Sequence, residues 1–236
     1  MSRSKRYFRS GETYYISIQA QKGSPCFFDD ACYAHYLTRF VNCLGVYQVQ
    51  LHSFALLPGK IHLLMTPSTP TGISNIVQVV GDAYAQYFNN RFDRNSTLWK
   101  GRFSSCLIPD GWTVLECQKF IELAPVRARI VKRPGQYQWS SYCINAFGGH
   151  GARVTIHDQY KEFGAKSGCR YQRYRDFVTN PYNPEQLKLL EHRLRYGYPR
   201  GIESRRVSAV RIARKYNNSL LTLRSGNKSA VSASSL

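Results

Sequence analysis

The 236-residue chain is long enough for one well-packed domain plus an appendage, and its 43% hydrophobic and 14% aromatic residues exclude global disorder. Thirty-three Lys and Arg against 14 Asp and Glu give a formal charge of +19, a surplus that seeks a polyanion, nucleic acid first among them. No apolar run approaches the roughly 18 residues of a membrane span, the basic start MSRSKRYFRS has no apolar leader core, and seven cysteines show no C-x-x-C pair. Cytoplasmic surroundings and no membrane partner are therefore expected.

Residues 1–10 carry Arg3, Lys5, Arg6 and Arg9 without an acid, a basic N-terminal arm. Tyr14 to Ala20 alternates apolar and polar side chains, the period of a strand. From Asp29, Cys32, Tyr33, Tyr36, Leu37, Phe40, Val41 and Leu44 recur every three or four residues, which predicts an amphipathic helix with an acidic start. Tyr47 to Leu57 and Lys60 to Thr66 read as two strands joined at Pro58-Gly59. Helical spacing returns from Ile73 to Phe88, a short apolar strand from Phe103 to Ile108, and a third helix from Asp110 to Leu123. The order strand, helix, strand, strand, helix, strand is that of the ferredoxin-like split βαβ unit. The predicted class is α+β: an antiparallel sheet with helices on one face, plus a basic helical C-terminal extension. The expected division is a main domain over 11–145, the extension over 146–215 with a helix near Pro184 to Tyr196, and a disordered tail over 216–236.

Several segments then align in series: FFDD at 27–30, LLPGKIHLL at 56–64, YFNNRF at 87–92, LWKGRF at 98–103, FIELAPVRARIV at 120–131 and YQWSSY at 137–142. Together they resemble the single-tyrosine HUH transposases of bacterial insertion sequences, and within them the REP-associated tyrosine transposases. The resemblance covers residues 10–145 and, more weakly, the basic region to about residue 215. It implies a tyrosine on the third helix that attacks a DNA phosphorus. It also implies a divalent metal held by two histidines one residue apart on a strand, where both side chains share a face. A polar residue one helical turn after the tyrosine completes the family's metal site.

This sequence departs from that pattern. The histidine pair reads Lys60-Ile61-His62, the tyrosine position is Phe120, and the polar position four residues on is Ala124. Phe120 has no hydroxyl, Lys60 is a cation that repels a metal, and Ala124 has no ligand atom. The expectation is a retired active site with no catalytic residue intact, no metal and no cofactor. For His62 alone the plainer reading is a strand histidine satisfied by hydrogen bonds; for Lys60 a phosphate contact and a solvated hairpin lysine are both open. Tyr137 and Tyr142 are the nearest substitutes in sequence for the lost nucleophile. Trp99 and Trp139 read as core.

The functional expectation is a DNA-binding protein derived from a transposase, recognising hairpin or single-stranded DNA without cleaving it. Its candidate nucleic-acid contacts are Lys60, Lys100, Arg102, Arg127, Arg129, Arg205, Arg206, Arg211 and Arg214. The alternatives are an active single-strand transposase or nuclease with a displaced tyrosine, or an RNA-hairpin binder. The resemblance also implies a homodimer.

Overall fold

A computed structural model describes residues 6–21, 24–109, 111–149 and 151–198. β1 (Tyr14–Gln19) leads into α1 (Asp30–Val46), a hairpin of β2 (Val49–Leu57) and β3 (Lys60–Pro67), α2 (Gly72–Arg91) and β4 (Ser104–Leu107). The strands form one sheet in the order β2-β3-β1-β4, every neighbouring pair antiparallel. This is the split βαβ unit that the sequence pattern predicts.

Period-2 alternation in β1 sorts its side chains between two different environments. Tyr14, Ile16 and Ile18 join Leu51, Phe54, Leu56, Ile61, Leu63 and Met65 beneath α1 and α2. The helices turn Tyr36, Phe40, Val80, Tyr84 and Phe88 toward this layer. α1 starts where the Asp29 carboxylate accepts from the Cys32 backbone N–H at 2.9 Å, an N-cap with a second acid in the first turn. The same carboxylate receives both arms of Arg91 from the end of α2, at 3.1 and 2.7 Å. α2 approaches the α1–β2 connection so closely that a Cβ on Gly72 would lie 2.7 Å from the Tyr47 carbonyl oxygen. Only glycine fits there.

The opposite face of the sheet carries Tyr15, Ala55, Leu57 and Leu64. α3 (Trp112–Glu122) packs against it, as do Leu190 and Leu194 of α8 (Pro184–Tyr196). The first two helices therefore share one face, and the third and the last cover the other. Pro125, which has no N–H to continue the ladder, lies just past the end of α3 in the short α4 (Ala124–Arg127). α5 (Tyr142–Phe147), α6 (Asp158–Lys161) and α7 (Ser167–Thr179) follow, and a third apolar cluster joins Tyr142, Tyr160, Tyr174 and Phe177 to Leu115 of α3. No described helix is long and apolar enough to cross a membrane.

The basic arm is docked from Arg6 onward. Phe8 is buried edge-on against Tyr14, and the Arg6 guanidinium donates to the Phe103 carbonyl. An apolar ring among the cations gives the arm its anchor, a feature that charge alone conceals. Trp99 and Trp139 are half-buried: Trp99 Nε1 donates to Gly81 O at 3.0 Å, and Trp139 stacks on Tyr33 with ring centroids 5.0 Å apart.

Candidate functional site

Strand register places the key polar side chains in rows across the second face of the sheet. Lys60 lies opposite Gln19, His62 opposite Ser17, and Ser17 opposite Ser104 on β4. Tyr15 is diagonal to His62, within the reach of long side chains across neighbouring strands. Its hydroxyl lies 2.6 Å from His62 Nδ1. Phe120 comes down from α3 onto this pair, 6.3 Å from the Tyr15 ring and 6.1 Å from the His62 ring, edge-on to both.

Above these rows lies a cavity of about 610 Å³, within the range of small-molecule sites. Its floor is Tyr15, Ser17, Gln19 and Ser104, and Phe120 is one wall. Lys60, Lys100, Arg102 and Arg195 line it, with Glu191 the one carboxylate among the described lining residues. Four cations against one acid make it a place for an anion.

The ionisable groups are perturbed by burial and by one another. Burial pulls the Lys60 ammonium below the usual lysine range, and the Arg127 guanidinium lowers it further, while Glu191 works in the opposite direction. His62 is held well below the ordinary imidazole range by burial, then by Lys60 and Arg127. It stays neutral at physiological pH. Tyr15 is pushed far above the phenol range, chiefly by burial.

Arg127 is half-buried behind the cavity wall, its guanidinium carbon 3.7 Å from the Phe120 ring centroid. One of its terminal nitrogens, Nη1, is buried with no hydrogen-bond partner. Ala124 is buried in the apolar layer on this face of the sheet. Arg129 is exposed and does not line the cavity. Arg205, Arg206, Arg211 and Arg214 lie outside the described residues.

Neither substitute tyrosine near the third helix reaches this place. Tyr137 donates its hydroxyl to the Leu56 carbonyl, and Tyr142 belongs to the third apolar cluster. Tyr15 is the tyrosine that lines the cavity. The sequence signal for it was present in β1, where alternation puts Tyr15, Ser17 and Gln19 on one side. Glu191 and Arg195 had no local signal, since α8 reaches the site only through tertiary packing.

A divalent metal does not fit this donor set. His62 is engaged by Tyr15, and two residues before it on the same strand stands the Lys60 ammonium, which has no lone pair for a metal. Among the described residues, no three His, Cys, Asp or Glu side chains converge.

Glu122 was not singled out by its sequence. Fully buried at the end of α3, it accepts from Ser141 Oγ at 2.7 Å, Asn145 Nδ2 at 2.7 Å and the Tyr174 hydroxyl at 2.6 Å. Burial raises its carboxyl above the usual range despite these donors. The network ties α3 to α5 and α7 and so fixes the helix that carries Phe120.

Residues 13–123 match the family described as "Transposase IS200 like". No curated protein matches the chain. Among solved structures, similarity extends to a REP-associated tyrosine transposase bound to a REP hairpin. The TM-score is 0.52 at 17% identity, over 67% of this chain and 93% of that one. A putative transposase from Deinococcus radiodurans matches at a TM-score of 0.35 and 18% identity, over 52% of this chain and 96% of that one.

Proposed function

The chain belongs to the IS200-like transposase family through residues 13–123, and on that premise we propose that it binds DNA hairpins and their adjoining single strands without cutting them. The observation that carries this reading is Phe120: it stands on the third helix over the cationic cavity, where the family's chemistry requires a tyrosine hydroxyl. Phosphoryl transfer needs an oxygen nucleophile in line with phosphorus and a charge to stabilise the phosphate oxygens. The cavity keeps the cations and lacks the hydroxyl at that position. Lys60 and Ala124 stand at two further catalytic positions and offer no metal ligand. The hairpin as ligand follows from the structural relative, which was solved with one bound. Lys100, Arg102, Arg127 and Arg129 are the proposed phosphate contacts within the described residues, with Arg205, Arg206, Arg211 and Arg214 beyond them.

A second reading rests on Tyr15, whose hydroxyl meets His62 at the cavity floor as a nucleophile meets a base. Burial disfavours the phenolate, and burial, then Lys60 and Arg127, make His62 a weak base, so binding without cleavage is favoured.

Labelled DNA and RNA hairpins with single-stranded extensions, mixed with the protein and magnesium or manganese, decide between these readings on paired native and denaturing gels. A shift that vanishes under denaturation, with intact DNA, is the expected result. A band that survives denaturation and is lost in Tyr15→Phe establishes the second reading. Preference for the RNA hairpin reassigns the ligand. Light scattering of the same samples checks the homodimer that belongs to this proposal.

A further inference from the structure

The described residues around the cavity bring four cations together with one carboxylate, Glu191. Among the described residues Lys60 has no hydrogen-bond or ion-pair partner, and Arg127 keeps Nη1 buried and unpaired. Glu191 and Arg195 act on Lys60 through space without bonding to it. Two desolvated cations side by side disfavour the folded state unless an anion joins them. The arrangement is that of a receptor waiting for its counter-charge.

We propose that Lys60, with Lys100, Arg102 and Arg195 around the same cavity and the Arg127 charge behind its Phe120 wall, forms a fixed cationic seat for one phosphate of an unpaired nucleotide, taking over the role of a divalent metal so that binding needs no metal ion. This rests on the hairpin-binding reading for the identity of the strand, but not for the seat itself. Lys60 is the first residue of β3, so the sheet register with Gln19 holds its stem at the cavity edge. An ammonium there acts as a compact point charge. Arg127 adds positive charge from behind the Phe120 ring that walls the cavity. Ser17, Gln19 and Ser104 on the floor offer neutral hydrogen-bonding groups to the remaining oxygens. Lys100 and Arg102, exposed at the same cavity, are placed to meet the adjoining phosphates of a strand seated there.

The phenylalanine also gains a reason in this arrangement. Its ring walls the cavity and offers the Arg127 guanidinium no acceptor, so that charge stays uncancelled behind the wall. The loss of the nucleophile and the gain of the seat are then one change of site chemistry.

The test uses the full-length protein in EDTA, titrated with thymidine 5′-monophosphate and separately with a hairpin bearing a single-stranded extension. Binding is read by calorimetry and by the ligand-dependent rise in melting temperature. Both ligands are expected to bind without metal, and Lys60→Met is expected to weaken both by about tenfold or more, the loss of one charge-assisted hydrogen bond. Lys60→Arg restores most of the affinity, and Lys132→Ala, an exposed control, leaves it unchanged. The seat is overturned if the nucleotide fails to bind in EDTA, binds Lys60→Met equally well, or binds only when magnesium or manganese is added. Nucleotide binding without hairpin binding sinks the hairpin reading and leaves the seat standing. Hairpin binding that ignores Lys60→Met does the reverse.

Discussion

The Arg127 guanidinium lies 3.7 Å from the centroid of the Phe120 ring, so the ring that walls the cavity is backed by a half-buried cation. A cation over an aromatic face is worth about 0.5–2 kcal/mol when desolvated. That contact links the third helix to the short helix after it and makes the aromatic ring, rather than a hydroxyl, the stabilising feature here.

Restoring the hydroxyl alone should therefore not restore chemistry. Phe120→Tyr is expected to form no covalent adduct with hairpin DNA in manganese, because Lys60 still repels the metal and Ala124 still offers no ligand. The same substitution combined with Lys60→His should bind manganese measurably tighter than Phe120→Tyr alone. An adduct from the single variant on a denaturing gel would show that the cationic site supports strand transfer without the metal pair.

The sheet and its first three helices were legible because each buries a face whose period the sequence displays. Asp29 marks the start of α1, and Pro58-Gly59 the hairpin turn, as local chemistry alone requires. The site was legible only in part. Lys60, His62, Phe120 and Ala124 could be named from aligned motifs, and the alternation of β1 contained Tyr15, Ser17 and Gln19. What could not be read was closure by α8, where Glu191, Leu194 and Arg195 lie more than 120 residues from Lys60 in sequence and at its side in space. Nor could the partners of Glu122 be read, since Ser141 and Asn145 at α5 and Tyr174 on α7 reach it only through tertiary packing.

Glu122 should behave as a structural carboxyl rather than a catalytic one. Glu122→Ala leaves the buried Tyr174 hydroxyl without its acceptor and reduces Ser141 and Asn145 to their longer bonds to Phe54 O and His52 O, at a cost of about 2 kcal/mol or more. Glu122→Gln is expected to be far milder, because its oxygen can face Ser141 and Asn145 while the Tyr174 hydroxyl rotates to accept from the amide. The raised carboxyl pKa sets the sign with pH. The folded state holds its proton more tightly, so the contribution is complete below the unfolded value and is lost as pH rises through the folded one. Denaturant melts of the glutamate and glutamine proteins should converge in acid and separate toward neutral pH in favour of glutamine.

Arg129 offers a separation of stability from binding. Its φ of 58° is left-handed, and it sits just past the end of α4, with Arg129 N donating to Val126 O and Ile130 N to Pro125 O, both at 3.0 Å. That is a helix-terminating motif in which glycine avoids the strain a side chain incurs. Arg129→Gly should raise stability by about 1 kcal/mol. If Arg129 also touches phosphate, the same variant should bind hairpin DNA more weakly with a shallower salt dependence. A higher melting temperature with unchanged affinity would remove Arg129 from the interface.

Acid sensitivity should come from histidines kept neutral by the fold. His52 Nδ1 donates to the Thr155 carbonyl at 2.8 Å, and its Nε2 accepts from the Thr66 hydroxyl at 2.9 Å. Thr66 in turn lies 2.8 Å from Thr13, which meets His157 Nε2 at 3.0 Å. Because His157 Nδ1 accepts from the Gln159 N–H at 3.1 Å, its Nε2 carries the hydrogen, and every proton in the chain then points toward His52. Burial, aided by His157 and opposed by the Thr155 bond and Asp158, lowers His52 to about 4. The unfolded chain takes up a proton near the ordinary value of about 6.5 that the fold refuses. Stability is thus complete above that value and falls as pH drops toward 4, by up to about 3 kcal/mol for this residue. His62, lowered by burial, Lys60 and Arg127, adds loss of the same sign. His52→Asn keeps the donor to Thr155 without the titration, so its melting temperature should fall less steeply between pH 6.5 and 4. Equal slopes for the two proteins would mean that the hydrogen-bond chain tolerates the extra proton, and that the acid response belongs to His62 instead.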